Sequence, residues 1–388
     1  MDGFDTQIFA LTVPAIMKDW GAARTGFTVA LTLGLLSAAI GSAVGGVLGD
    51  RVGRRPVLIG AALLFTAATA GLAAATDLTW LAALRFASGL GLGAAMPNAS
   101  SLIAELTSPR RRGLAITLGA TCVGAGGVLS GVVAGLVLPT AGWRALFVSG
   151  ASLGGLVAAL IFLVVPESPA FADERGEKPA PGSGGLLDEG RRVDTFALWG
   201  VSVFAMFGTY SLLSWLPAIL GEAGRSLAEI GLAMSILNLG GVASGVLGAL
   251  AIAVFGVRRV ILGLALVGGL SSLALVFTGV AGAPLPAILT LFAVQGGCVS
   301  GVVVALYPLA ADIYPPRLRA RGIGLAVGLG RTAAVASPLL AGYLLERLGQ
   351  RGFYTAIFTA MALCTLSSAI VLKRRTGARP DSRSPLAG

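Results

Sequence analysis

Histidine is absent from this 388-residue sequence, charge is scarce, and cysteine occurs only three times. Without histidine the chain lacks the usual general base, the usual proton shuttle and the commonest metal ligand. Cys122, Cys298 and Cys364 are far apart and odd in number, which excludes a thiolate metal motif and a disulfide framework. Charged residues make up 12% of the chain, against about 25% in soluble domains. That is too little polarity to cover a water-facing globule of this size. No phosphate-cradling P-loop occurs, so nucleotide hydrolysis is excluded as a driving force and an ion gradient remains. No cofactor or metal is expected, and no enzyme chemistry.

What the chain has in quantity is apolar residues, 55%, and glycine, 57 residues. With a mean hydropathy of +0.87, that glycine content points to closely packed membrane helices. The net charge of +10 lies in short clusters between apolar runs, with no exposed aromatics interleaved. A nucleic-acid partner is therefore not expected, and topology-setting charge is.

A membrane helix needs about 20 apolar residues. Twelve spans satisfy this approximately: 2–17, 26–48, 56–75, 79–103, 113–138, 143–165, 195–219, 227–255, 259–278, 286–312, 320–345 and 353–372. They divide into six-helix bundles at 1–165 and 195–372, joined by a Pro-, Gly- and Ser-rich linker, 166–194, and followed by a tail, 373–388. Loops on the side of the linker and tail carry 20 of the 28 Lys and Arg, and loops on the other side carry 6. The linker and C-terminus are thus expected in the cytoplasm. No cleavable signal peptide precedes the first span. Residues 2–17 rise about 24 Å as a helix, short of a core of about 30 Å, so the native product is expected to carry residues ahead of Met1.

The halves echo each other. Residues 104–110 (AELTSPR) match 311–317 (ADIYPPR) at an offset of 207, and Gly53-Arg54-Arg55 matches Val257-Arg258-Arg259. Equal positions on one membrane side indicate a parallel repeat, the arrangement of two-half secondary transporters with a midplane site between halves.

Asp2 and Asp5 share a helical face in the first span. A carboxylate at membrane depth costs about 2.5–3.5 kcal/mol, so it belongs in a polar interior where it can exchange a proton. The alternative is that both sit at the cytoplasmic surface. Arg85 and Arg331 are the two cations inside apolar spans. Arg85 reads equally as a cavity cation and as a structural arginine tied to carbonyls or to Asp50. Arg331, deeper and with no acid within a turn, needs a partner from another helix or from a substrate carboxylate. Asp5 and Arg331 can meet only between the halves, and their pairing is expected there. Asp50 with Arg51, Arg54 and Arg55 reads as a gate clamping the two halves, with positive-inside charge explaining the arginines alone. Glu105 and Asp312 read as solvated ion pairs at helix ends. Asn98, Tyr210, Trp215, Asn238 and Tyr307 are candidates for lining the cavity. For the three aromatics, core packing or an interfacial belt is the competing reading.

The loop GVLGDRVGRR (46–55) and the run RFASGLGLG (85–93) resemble the cytoplasmic signature loop and the fourth-helix arginine motif of the major facilitator superfamily. Within it, Asp2-Gly3-Phe4-Asp5, Met96-Pro97-Asn98, residues 213–217 (LSWLP) and Gly330-Arg331 followed by Pro338 resemble the aromatic acid:proton symporter family. The resemblance implies an all-α fold of two six-helix bundles working by alternating access. It also implies proton-coupled uptake of an aromatic carboxylate across the plasma membrane, with Glu105 contributing to gating. A proton-antiport exporter, a carrier of sugars or other organic ions, and a non-transporting membrane protein are the alternatives. The expected partners are a small organic anion, protons and the lipid bilayer, and the chain is expected to be a monomer.

Overall fold

The computed structural model describes residues 1–108, 112–167, 187, 191–280, 283–314 and 316–377. Among these, every regular element is an α-helix. The chain runs through α1 (Asp2–Trp20), α2 (Gly26–Val52), α3 (Arg54–Ala73) and α4 (Leu78–Leu106) into the continuous stretch Arg112–Val164. Gly142, at φ 76°, interrupts that stretch and makes it two helices, α5 (112–141) and α6 (143–164). The second half repeats the plan with α7 (Arg192–Glu222), α8 (Leu227–Phe255), α9 (Val257–Thr278) and α10 (Leu285–Ile313). The stretch Pro316–Gly377 is broken at Gly349, φ 63°, into α11 (316–348) and α12 (350–377). Left-handed φ is the conformation that only glycine adopts freely, so these two residues decide where the long apolar runs reverse.

Nine helical stretches among the described residues are long and apolar enough to cross a membrane, and the two glycine breaks divide the longest two. With α1, which carries Asp2, Asp5, Lys18 and Asp19 in its 19 residues, the helical segments number twelve. The expected spans agree with them to within a few residues. The second half begins earlier than the expected 195, at Arg192, and α12 extends to Gly377. The expected linker lies mostly outside the described residues, as does the tail beyond 377.

Glycine and other small residues let helices touch at backbone distance. On α2 the buried positions 34, 37, 41, 45 and 49 recur every three or four residues and face α4 around Gly89, Leu90, Gly93, Ala94 and Asn98. In the second half, Gly240 of α8 and Gly296 of α10 make the same kind of approach.

The repeat is visible in the backbone. Gly53 (φ 107°, ψ 146°) joins α2 to α3, and Gly256 (φ 81°, ψ 149°) joins α8 to α9. The arginine following each glycine pairs with the acid that closes the fourth helix of its own half. Arg54 pairs with Glu105, and Arg258 pairs with Asp312 at 2.7 Å. The charged loops 50–55 and 256–259 therefore mark one end of the molecule, the basic end.

The halves meet along α1–α7, α2–α11 and α5–α8. At the end opposite the basic loops the contact is tight. A Cβ on Gly231 would stand 2.5 Å from the Gly131 carbonyl oxygen, a Cβ on Gly221 would stand 3.0 Å from Pro14, and Arg24 pairs with Glu222 at 2.6 Å. Further along α8, a Cβ on Gly245 or Gly248 would meet nothing within 4 Å. The halves are closed at the far end, and the face of α8 that carries these two glycines is open toward the basic end.

Candidate functional site

Two cavities lie where the halves face each other, and α1 and α7 border both. The charged one is lined by Asp5 and Thr6 of α1, Arg85 of α4, Tyr210 of α7 and Arg331 of α11, with small residues of α2 and α4. The larger one is mostly apolar. It takes Gly3, Thr6 and Gln7 from α1, Tyr210 and Leu213 from α7, and Asn238 and Val242 from α8. Thr6 and Tyr210 belong to both walls.

Asp5 and Arg85 form a buried ion pair, with Nη1 of Arg85 donating to Oδ2 of Asp5 at 2.5 Å. Asp5 is fully buried and Arg85 is 6% exposed. Phe9, one turn along α1, places its ring 4.9 Å from the guanidinium carbon. Gly34 of α2 makes room, because a Cβ there would stand 2.8 Å from Nε of Arg85. The pair is incompletely satisfied, since Asp5 Oδ1 and Arg85 Nε are buried without a hydrogen-bond partner among the described residues. Burying two charges is costly unless their remaining lone pairs and protons are met, so this pair is poised for a third group.

This arrangement corrects one expectation. Asp5 is held by Arg85 within the first half and not by Arg331 across the interface. Arg331 is half-buried, faces the same cavity from the other half, and makes no ion pair among the described residues. For Arg85, read from the sequence as a cavity cation or as tied to carbonyls or to Asp50, the partner is Asp5. The cavity thus holds one carboxylate and two guanidinium groups, a net positive site fed from both halves.

The other candidates fall as follows. The side chains of Asp2 and Asp50 lie outside the described residues. Arg51 is exposed. Arg54 pairs with Glu105, and the backbone N–H groups of Arg54 and Arg55 donate to Glu167 Oε1 at 3.0 and 3.1 Å. Arg55 also donates to the Phe162 carbonyl at 2.6 Å. These contacts hold the basic loop to its own half. In the second half Tyr314 closes α10, its hydroxyl donating to Thr195 at 3.1 Å, and burial pushes its phenol above the usual range.

Three candidates for cavity lining sit elsewhere. Trp215 is fully buried in the second half, where its Nε1 donates to the Pro338 carbonyl at 2.9 Å against Gly342 of α11. Asn98 is 2% exposed and donates to the carbonyls of Gly45 and Ala94, both at 2.8 Å, which fixes the α2–α4 seam. Tyr307 is half exposed and lines neither cavity. Tyr210 and Asn238 line cavities.

Sequence reasoning passed over Gln7. It is 2% exposed and exchanges two hydrogen bonds with Asn238, 2.6 and 2.8 Å, across the interface between halves. Its signal was available: a polar amide two residues from Asp5 in an otherwise apolar span needs a partner at membrane depth.

The family model described as Major Facilitator Superfamily matches residues 1–223 and 198–387. A 4-hydroxybenzoate transporter of Pseudomonas aeruginosa is 30% identical, over 98% of this chain and 91% of that protein. A 3-(3-hydroxy-phenyl)propionate transporter of Escherichia coli is 31% identical, over 98% of this chain and 93% of its own. Among solved structures, a D-xylose-proton symporter superposes with a TM-score of 0.73 at 22% identity, over 94% of this chain and 93% of that one, a likeness of fold.

Proposed function

This chain belongs to the Major Facilitator Superfamily, a multi-pass membrane transporter rather than an enzyme, and from that premise we propose that it carries an aromatic carboxylate into the cell together with protons. The observation that carries the reading is the cavity holding Asp5, Arg85 and Arg331, with two guanidinium groups against one carboxylate. Arg331, without an ion pair among the described residues, can offer its donors to a substrate carboxylate, which a guanidinium holds at two points. Protonating Asp5 would remove the competitor for Arg85 and give the incoming anion a second donor. Proton binding and anion binding then favour each other, the coupling that a symporter needs. The apolar second cavity, which shares Thr6 and Tyr210 with the first, offers space for a ring. The named aromatic-acid relatives support the substrate class.

The charge asymmetry of the loops supports a cytoplasmic basic end. With the far end closed, this is then an inward-facing form, and the basic loops held to their own halves are the gate in its released state. A membrane potential negative inside drives such a symport only where more protons enter than substrate charges. The test is uptake of labelled 4-hydroxybenzoate into proteoliposomes with and without an imposed pH gradient. Accumulation that needs an acidic exterior is expected. Downhill exchange indifferent to pH would overturn proton coupling, and no movement of any aromatic acid would overturn the substrate class.

A further inference from the structure

We infer that the Gln7–Asn238 pair is a subsite for a hydroxyl group on the ring of the transported acid. This rests on the reading of the chain as an aromatic-carboxylate transporter and adds what it discriminates. Gln7 comes from α1 of the first half and Asn238 from α8 of the second, and both line the larger cavity. Gln7 Nε2 donates to Asn238 Oδ1 at 2.6 Å, and Asn238 Nδ2 donates back to Gln7 Oε1 at 2.8 Å. Asn238 Nδ2 also donates to the Met234 carbonyl at 2.6 Å. A carbonyl can only accept, so that bond fixes which Asn238 atom is nitrogen, and through it the orientation of Gln7.

The hydrogen-bonding capacity left over is then countable. Both hydrogens of the Asn238 amide are used, one hydrogen of Gln7 remains, and each amide oxygen keeps a lone pair. One donor beside two acceptors is the complement of a hydroxyl, which both donates and accepts. A carboxylate, acceptor only, would meet two lone pairs and one hydrogen here, so it belongs with Arg331 instead. Two features show that the place is built for the pair. Gln7 is 2% exposed, and a Cβ on Gly127 of α5 would stand 2.5 Å from both Asn238 Oδ1 and Gln7 Nε2. Thr6 and Tyr210 are common to the walls of both cavities. In this arrangement the carboxylate takes Arg331 and the ring hydroxyl takes the amides.

The experiment measures binding of benzoate, 3-hydroxybenzoate and 4-hydroxybenzoate to the purified full-length protein in nanodiscs. The wild type is expected to hold at least one hydroxybenzoate about 10-fold more tightly than benzoate, the value of one hydrogen bond. Gln7→Met and Asn238→Ala should bring that ratio close to one while keeping benzoate affinity. Gln7→Asn, which keeps an amide but shortens it, should also lose the preference and serves if Gln7→Met does not insert. An unchanged ratio in the variants, or no preference in the wild type, would overturn the subsite and leave the transport reading standing. Loss of benzoate binding as well, with lowered melting, would overturn it in favour of a purely structural clamp. A wild type that binds none of the three would remove the aromatic-carboxylate reading, and the subsite with it.

Discussion

Asp5, Arg85 and Arg331 share a cavity but differ in what they have to lose. Asp5→Asn keeps the shape of the carboxyl and removes its charge, leaving Arg85 buried and uncompensated. Breaking a buried pair from one side costs about 3–5 kcal/mol, so this variant should melt well below the wild type unless substrate is bound. It should still exchange substrate across the membrane while losing accumulation driven by a pH gradient. Retained accumulation in Asp5→Asn would move the proton to another group. Arg331 makes no ion pair among the described residues, so Arg331→Lys removes no structural partner. Its melting temperature should stay near that of the wild type while transport falls more than about 10-fold, because an ammonium lacks the planar fork. If Arg331→Lys transports normally, a point charge suffices and the two-point grip is wrong.

Between elements, the interface that matters is α5 against α8. Gly131 and Gly231 bring the two backbones into contact at the far end, and no side chain larger than hydrogen fits either position. Gly231→Leu adds volume at a site without room, an overpacking that costs about 1–3 kcal/mol. That cost falls only on the form in which the far end is closed, so the equilibrium should shift toward the opposite form by about 5- to 150-fold. A cysteine at Val304, a half-exposed wall residue of the larger cavity, reports the change in a Cys122→Ala background. Its reaction with a maleimide applied from the basic side should slow in Gly231→Leu while membrane insertion stays normal. Equal labelling rates would show that this seam does not govern closure.

For the whole molecule the question is which way it sits in the membrane. The loop count of 20 against 6 is the ground for proposing that the linker and tail face the cytoplasm. Single cysteines at Ser183 and Ser384 in the Cys122→Ala background should resist a membrane-impermeant thiol reagent in intact cells. They should react once the cells are opened. Labelling of either from outside would invert the topology, and with it the assignment of the closed end to the exterior.

Composition and period were enough for the architecture. Apolar runs of membrane length and the 207-residue echo are properties of the chain itself, because lipid demands that every spanning segment satisfy its backbone internally. The repeat also located both charged loops, and the Arg54–Glu105 and Arg258–Asp312 pairs sit at equivalent places in the two halves. The cost of a bare charge in a membrane singled out Asp5, Arg85 and Arg331 as residues in need of partners. That cost says nothing about which partner each one finds. Asp5 lies 80 residues from Arg85, and its choice of Arg85 over Arg331 depends on helices α1, α2 and α4 packing so closely that Gly34 admits a guanidinium. Trp215 and Tyr210 stand five residues apart on one helix, yet one is sealed against Pro338 and the other borders both cavities. Gln7 and Asn238 meet over 231 residues, across an interface that exists only when the two bundles are together. A span's need for a partner is written locally in its polarity, whereas the partner's identity is a distance between helices, and only the tertiary structure sets distances.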